Sequence, residues 1–452
     1  MTKLKSIRCF FLMLLSLSPA RVSAQLLPVE DFLNQVSNAN EGYQALQMET
    51  DGAEKTVGAA SLFFKPQVFT QFQYIYDTRD THAPDIEGKR DIQKSASAGL
   101  RQQTPFGLQL QLSMDYSHST LLGANSPLVT RPSITNLYPV PILNFPIWQN
   151  FLGKMDHANS RLLEAQSRAS AYGSSFAARA ILTDAEGRYW KLAILREALT
   201  LQRASLIRAH GVLSVENRKE RRKLIDSSDV LLGEAAVQGK ELELKSMLIE
   251  ERSAGRAFNS ARGIDSDLVA EDLPIPDVAE LSQLTSPSRK DRRGDVRAAE
   301  QQFIATSAGT EVAREKLLPS FNIYGSVFAV GVAFSMPLDP EPAREARDGY
   351  ARQGAASELT YRRKVFEEDN DWKELAARFT DNRERLSLAL KLEEIQRRKF
   401  EDVRRRRGRG LTVAFQVFQY ELDFLSAAQA RLQIEGILLG IRAQMKLFGP
   451  ER

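Results

Sequence analysis

The sequence predicts a mainly α-helical chain with a smaller share of β structure, built from long antiparallel coiled-coil hairpins and an internal two-fold repeat. Three observations predict it. Residues 151–212 contain no proline and carry an alanine-rich apolar stripe at helical spacing, Leu162, Ala165, Ala169, Tyr172, Phe176, Ala180, Tyr189, Leu192 and Leu199. Leu108, Leu110, Leu112, Met114 and Tyr116 alternate with Gln109, Gln111, Ser113, Asp115 and Ser117, the period of two that belongs to a strand. A junction between two helical patterns at 404–428 has a fainter copy at 223–231, so the chain reads as two copies of one unit.

The bulk properties agree. At 452 residues, with 43% hydrophobic and 26% charged side chains, the chain can afford a buried core, and disorder is not the default. A net charge of +4 makes no general case for nucleic-acid binding, although the basic residues are clustered. Residues 1–24 read as a secretory signal: Lys3, Lys5 and Arg8 precede the apolar run 9–17, and Val22, Ser23 and Ala24 form a small-residue cleavage site. About ten apolar residues are too few to span a bilayer. The single cysteine, Cys9, falls inside this segment, so neither a lipid anchor nor a disulfide is expected in a mature chain starting at Gln25.

Taken in order, 25–62 is expected to be an N-terminal helix, with Phe32, Leu33, Val36, Tyr43, Leu46 and Val57 at spacings of three and four. The first β region, 63–149, holds strands at 67–77, 94–104 and from 108, and an extended stretch 129–148 expected to be irregular at its end because of Pro132, Pro139, Pro141 and Pro146. Residues 150–262 form the first long hairpin, its return helix expected from Glu216 to Arg262. An irregular midsection, 263–291, precedes a helix of the second repeat at 292–317. The second β region, 318–337, is short, and 338–452 is the second long hairpin and C-terminus, helical over about 343–407 and 411–448.

The strands admit two readings. In water their apolar face would cover a soluble core; in a membrane it would meet lipid while the polar face lines water. After residue 24 no run of eighteen apolar residues occurs, so a crossing would have to be made by a closed barrel. The helical stretches favour the second reading, since about sixty residues at 1.5 Å each make a rod of roughly 90 Å, for which a globular domain has no use.

The order of signal, strands, hairpin, midsection, strands and hairpin resembles the TolC-like outer-membrane efflux protein family over essentially the whole mature chain. Tyr189-Trp190-Lys191-Leu192 resembles the family's aromatic pair in its first long helix, and the segment Arg292-Arg293-Gly294-Asp295-Val296-Arg297-Ala298-Ala299 resembles its Arg-Pro-Asp-Leu-x-Ala-Ala segment with glycine in the proline's place. Leu317-Leu318-Pro319 stands where the second strand pair begins, and Gly410-Leu411-Thr412 with Gln416-Val417 at the second helical tip. The resemblance implies a homotrimer whose strands close one transmembrane β-barrel in the outer membrane of a Gram-negative bacterium and whose hairpins form an α-barrel tunnel through the periplasm. It further implies tips that meet a periplasmic adaptor (membrane fusion) protein coupled to an inner-membrane transporter, in a tripartite efflux or type I secretion system. The alternative is a soluble periplasmic coiled-coil adaptor or structural spacer.

The site residues follow from the resemblance. Asp229, Gln416 and Gln419 fall at the pore entrance, the two glutamines where several relatives carry aspartates, and Lys223, Leu224, Arg405, Arg407, Gly410, Leu411 and Thr412 fall at the adaptor-docking tips. The basic runs 216–223 and 404–409 are readable as a docking surface or a collar for anionic cargo, and equally as solvated helix ends where arginines favour the dipole. Leu224 and Leu411 are adaptor contacts or intramolecular anchors, and Gly408 and Gly410 supply backbone freedom. His82, His118, His157 and His210 lack metal-ligand spacing, and no phosphate loop or Ser/His/Asp set occurs, so no catalytic residue, metal or cofactor is expected and the chain is not read as an enzyme. Glu367 and Glu368 read as a solvated acidic pair.

Overall fold

The structure, a computed structural model of one chain, describes residues 25–79, 82–124, 127, 129–285, 287–289, 291–336, 338–339 and 341–449. The secretory signal read at 1–24 lies outside the described residues. The helices are α1 (Val29–Ala39), α2 (Glu41–Val57), α3 (Pro84–Glu87), α4 (Lys154–Arg221), α5 (Ser227–Ala261), α6 (Val278–Gln283), α7 (Gly294–Lys316), α8 (Glu341–Gly408) and α9 (Ala414–Met445). The strands are β1 (Gln67–Asp77), β2 (Arg90–Gln103), β3 (Gln109–Leu122), β4 (Ser133–Pro146), β5 (Ser320–Ser326) and β6 (Val330–Ser335). The chain divides into two compact units, one from the described parts of 1–41, 182–287 and 377–444, the other from those of 42–181, 288–376 and 445–452.

The second of these units contains a single antiparallel sheet in the order β1-β2-β3-β4-β5-β6. The register carries the patterning of the sequence across all six strands. Val68, Leu100, Leu112 and Pro141 stand in one cross-strand row, and Phe72, Ala96, Tyr116 and Leu137 in another. Leu143 continues the face through Gly325 to Val330, and Phe145 through Ile323 to Val332. This face is exposed: Phe72 keeps 81% and Val330 83% of its surface, and Leu100, Leu112, Met114, Leu137, Val332 and Phe334 are exposed with them. The opposite face is chiefly polar, with rows such as Gln71, Ser97, Asp115 and Tyr138, or Gln73, Ser95, Ser117 and Asn136. The outer edges of β1 and β6 have no strand partner among the described residues.

The irregular end expected for 129–148 is confined to residues 147–148, beyond the strand, and β4 is regular from Ser133 to Pro146 although it carries three of the four prolines. The reason is parity. Leu121 N–H donates to Pro132 C=O and Ile147 N–H to Phe321 C=O, so even residues of β4 bond toward β3 and odd residues toward β5. Pro139 and Pro141 are odd and lie before Ile142, where the β5 pairing begins; Pro146 is even and lies beyond Asn144, where the β3 pairing ends. Each proline sits where the ladder asks for no N–H.

At the sheet-to-helix transition the backbone is strained. Asn150 (φ 62°), Leu152 (φ 53°) and Gly153 (φ 74°) are left-handed, and a Cβ on Gly153 would stand 2.1 Å from Pro105 C=O. Asn150 Oδ1 accepts from Met155 N–H (2.9 Å), while its Nδ2 and Gln103 Nε2 donate to Asp156 Oδ2 at 2.7 and 2.6 Å. The same unit is tied by Arg293, which pairs with Asp295 and Asp371 and lies over the rings of Phe176 and Phe448. Glu368 corrects the solvated reading of its pair: it is fully buried, taking the Arg293 N–H at 2.7 Å and facing Arg289 at 2.9 Å.

The other unit is cored by aromatic packing. Phe32 stacks on Phe258 at 4.2 Å, both lie beside Tyr189, and the Tyr189 hydroxyl donates to Leu27 C=O at 2.7 Å. The Arg262 guanidinium covers Phe258 and pairs with Glu271 at 2.6 Å. The continuous helix expected over 25–62 is broken at Asn40, whose side-chain amide donates to Ala261 C=O (2.9 Å), and after Val57 it tightens into a 3-10 turn over Gly58–Phe64. The first long helix runs on to Arg221, so residues 216–221 belong to it and not to the returning helix, which starts at Ser227.

Candidate functional site

The ends of α4 and α8 and the starts of α5 and α9 lie in the unit with the aromatic core. Both long helices stop in the same way. Leu224 N–H donates to Lys219 C=O (3.0 Å) and Lys223 N–H to Glu220 C=O (2.7 Å); Leu411 N–H donates to Arg406 C=O (3.0 Å) and Gly410 N–H to Arg407 C=O (2.9 Å). These are matching Schellman closures, which require a left-handed residue after the helix. Gly410 supplies it at φ 74° and Lys223 at φ 59°, the latter against the steric preference of a side-chain-bearing residue. Gly408 is helical, so the conformational freedom read from both glycines is used only at Gly410.

Leu224 and Leu411 project from these closures and are exposed, as are Val413 and Phe415. Arg405 is exposed and, with Arg406, faces Asp402. Arg407 departs from the expected docking cation: its side chain turns inward, 9% exposed, to pair with the buried carboxylate of Glu216. Burial holds its pKa below the usual arginine range, with Glu216 opposing that shift. Thr412 donates to Gln416 Oε1, and Gln419 donates to Asp423 at 3.2 Å, both along the start of α9. Asp229 lies in the first turn of α5, its N–H bonded to Asp226 C=O. The expected entrance residues are thus all placed within the first turns of α5 and α9, while Arg407 is withdrawn from the surface.

Periodicity did not reveal the charged groups beneath these ends. Phe400, Val403 and Val417 form a buried cluster with Val212, Tyr420 and Phe424 packed against it. Beside it, fully buried Glu421 accepts from Arg208 Nε at 2.6 Å and Ser205 Oγ at 3.0 Å. Lys240 also reaches Ser205; burial pushes its ammonium pKa down, against the pull of Glu421 and Glu243. The signal available in sequence was slight: Glu421 lies between Tyr420 and Leu422, but Gln416, Gln419 and Asp423 stand close by on the same helix. Among the described residues no group of three His, Cys, Asp or Glu side chains is placed to hold a metal ion, and no helix is long and apolar enough to cross a membrane.

Neither a protein-family model nor a curated protein matches the sequence. The fold is another matter: it is similar to that of several solved outer-membrane channels. Among solved structures, the outer-membrane channel OprN matches with a TM-score of 0.66 at 16% identity, covering 94% of this chain and 90% of that one. The CmeC outer-membrane channel of Campylobacter jejuni matches at 0.66 and 13%, over 93% and 85% of the two chains. The outer-membrane protein VceC of Vibrio cholerae matches at 0.65 and 11%, over 93% and 96%.

Proposed function

We propose that the chain is an outer-membrane export duct in which three copies close one β-barrel and continue it as a helical tunnel. The observation that carries this reading is the sheet: one face apolar and exposed, the other polar, and both edges unpaired among the described residues. Six strands fall short of the roughly eight that a closed barrel needs. Edges that open are satisfied by copies of the same chain, and six strands from each of three copies would give a wall of about eighteen, within the range of membrane barrels. β1 has 11 residues and β2, β3 and β4 have 14 each, enough to cross at about 9–11 residues; β5 and β6, with 7 and 6, form a shorter stretch of the wall.

The helices support the same assembly. Leu388, Leu392 and Ile395 form an exposed stripe on α8, and Leu242 and Ile249 stand a heptad apart on α5. Neighbouring copies would cover these stripes. The matching closures at Lys223 and Gly410 support the internal two-fold repeat. In this reading the exposed Leu224, Leu411, Val413 and Phe415 with Arg405 meet a periplasmic adaptor that is coupled to an inner-membrane transporter, and Asp229, Gln416 and Gln419 border the pore entrance. The solved structures of the same fold are described as outer-membrane channels, which favours this over a soluble spacer. Planar-bilayer recording of the detergent-extracted protein tests the reading. Stable conductance steps support it; recovery of the folded protein from the soluble periplasmic fraction, with no conductance, contradicts it.

A further inference from the structure

The sheet sorts its charged groups by face. On the apolar face the register sets Arg90 opposite Leu122, and Lys94 between Tyr74 and His118. Among the described residues these are the only Lys, Arg, Asp or Glu side chains that the paired strands place on that face. The carboxylates fall on the other face, where Asp77 stands opposite Asp91 and Asp115 opposite Ser97. Arg90 and Lys94 are both exposed. Arg90 lies over the Tyr76 ring at 5.9 Å, and neither cation is paired with a carboxylate among the described residues, Asp85 and Glu87 of the short α3 included.

Both cations stand at the same end of the sheet. β4 leads into α4 and β6 into α8, so the links 78–89 and 123–132 lie at the end away from the long helices, and Arg90 and Lys94 fall there. On β2, Lys94 is eight residues from Gln102, whose row continues through Leu110 and Leu143. At about 3.4 Å per residue and a tilt of about 40°, that is roughly 21 Å of height, close to the apolar band of about 25 Å that a membrane barrel presents to lipid. Arg90, four residues further along β2, rises about 10 Å above Lys94, into the level of headgroups. A lysine at the margin of such a band extends its ammonium toward the headgroups, where phosphate is the available acceptor. The lower margin differs: its row of Gln102, Leu110 and Leu143 is uncharged, and exposed Phe106 and Trp148 follow it.

We propose that Arg90 and Lys94 are a docking site for a lipid whose headgroup carries more than one phosphate, seated in the leaflet farther from the helices. The site rests on the reading that the apolar face meets lipid. Two cations about 14 Å apart along one strand match two phosphates better than one. A zwitterionic headgroup would bring its own cation to a face that holds no carboxylate to receive it. The phosphates take the Lys94 ammonium and the Arg90 guanidinium, Tyr74 beside Lys94 adds a neutral donor, and the acyl chains lie on the row of Phe72, Tyr116 and Leu137.

The test titrates the full chain, extracted in dodecyl maltoside, with diphosphoryl lipid A and separately with dioleoylphosphatidylcholine, and reads bound lipid by native mass spectrometry. Diphosphoryl lipid A is expected to bind at least tenfold tighter. Arg90→Gln and Lys94→Gln, both at exposed positions, should each weaken it about fivefold, the effect of one cation at an anionic surface, and leave phosphatidylcholine unchanged. Arg101→Gln removes a cation from the opposite face of the same strand and should alter neither affinity. Equal affinity for the two lipids, undiminished lipid A binding in Arg90→Gln and Lys94→Gln, or an equal loss in Arg101→Gln would each overturn the site. Planar-bilayer recording of the same preparation separates this from the duct itself. Conductance without lipid preference overturns the lipid site alone, whereas absence of conductance overturns the duct and the site with it.

Discussion

Replacing Gly410 with valine isolates the conformational cost of the helix closure. No atom lies within 4 Å of a Cβ placed at Gly410, so the substitution meets no steric obstacle beyond its own backbone. What remains is the left-handed φ of 74°, which costs an ordinary L-residue about 1–2 kcal/mol and a β-branched one somewhat more. About 2 kcal/mol is a factor of roughly 30 in a local opening equilibrium. The amides that report it are those at positions 410 and 411, bonded to Arg407 and Arg406 C=O at 2.9 and 3.0 Å. Hydrogen exchange, corrected for intrinsic rates, should quicken there by about ten- to thirtyfold, with the sheet amides unaffected. Gly408 provides the control. It is helical with open space around it, so Gly408→Ala should slow exchange slightly, by about 0.5–1 kcal/mol of added helix preference. Equal acceleration in both variants, or none in Gly410→Val, would refute the assignment of the closure.

Other perturbations separate the remaining parts of the structure. Lys223→Gly removes the left-handed strain from the other closure and should slow exchange of the Leu224 amide by up to about fivefold, worth roughly 1 kcal/mol. Gly153→Ala puts a methyl 2.1 Å from Pro105 C=O at a left-handed φ, and should reduce the folded, membrane-extracted yield severely, read by heat-modifiable gel migration. Phe72→Lys places a charge on the exposed apolar sheet face; if that face meets lipid, it should cost about 2–4 kcal/mol and shift protein out of the membrane fraction. Glu271 gives a pH signature. The Arg262 hydrogen bond holds its carboxyl below the usual glutamate range, so its contribution is present above that range and fades as pH falls through the lower folded value. Glu271→Gln should therefore lower the melting temperature at pH 7, and the gap from the parent should close in strongly acidic buffer.

Much of the fold was legible because its elements are long and periodic. The alternation in 108–117 and the proline-free stripe through Tyr189 and Leu192 each repeat one period far enough to identify the element. The regularity of β4 through its prolines was not legible, because it depends on parity, that is, on which neighbour each residue faces, a tertiary fact. The helix boundary at 212 fell short for a related reason: the reversal is set by Lys223 in a left-handed conformation, and lysine does not advertise one as glycine does. The helix closure at Gly410 was legible in sequence, yet the inward turn of Arg407 and the burial of Glu216, Glu368 and Glu421 were not. A buried carboxylate is held by a partner remote in sequence, as Glu216 is by Arg407, and no local pattern encodes that pairing.

The most direct test of the shared-barrel account is a cryo-electron microscopy reconstruction of the protein extracted from membranes in mild detergent. The account predicts three copies around one axis, with β1 of each copy against β6 of the next in a closed wall and the row of Phe72 turned outward to detergent. A single copy, or an assembly in which those two edges stay apart, would contradict it.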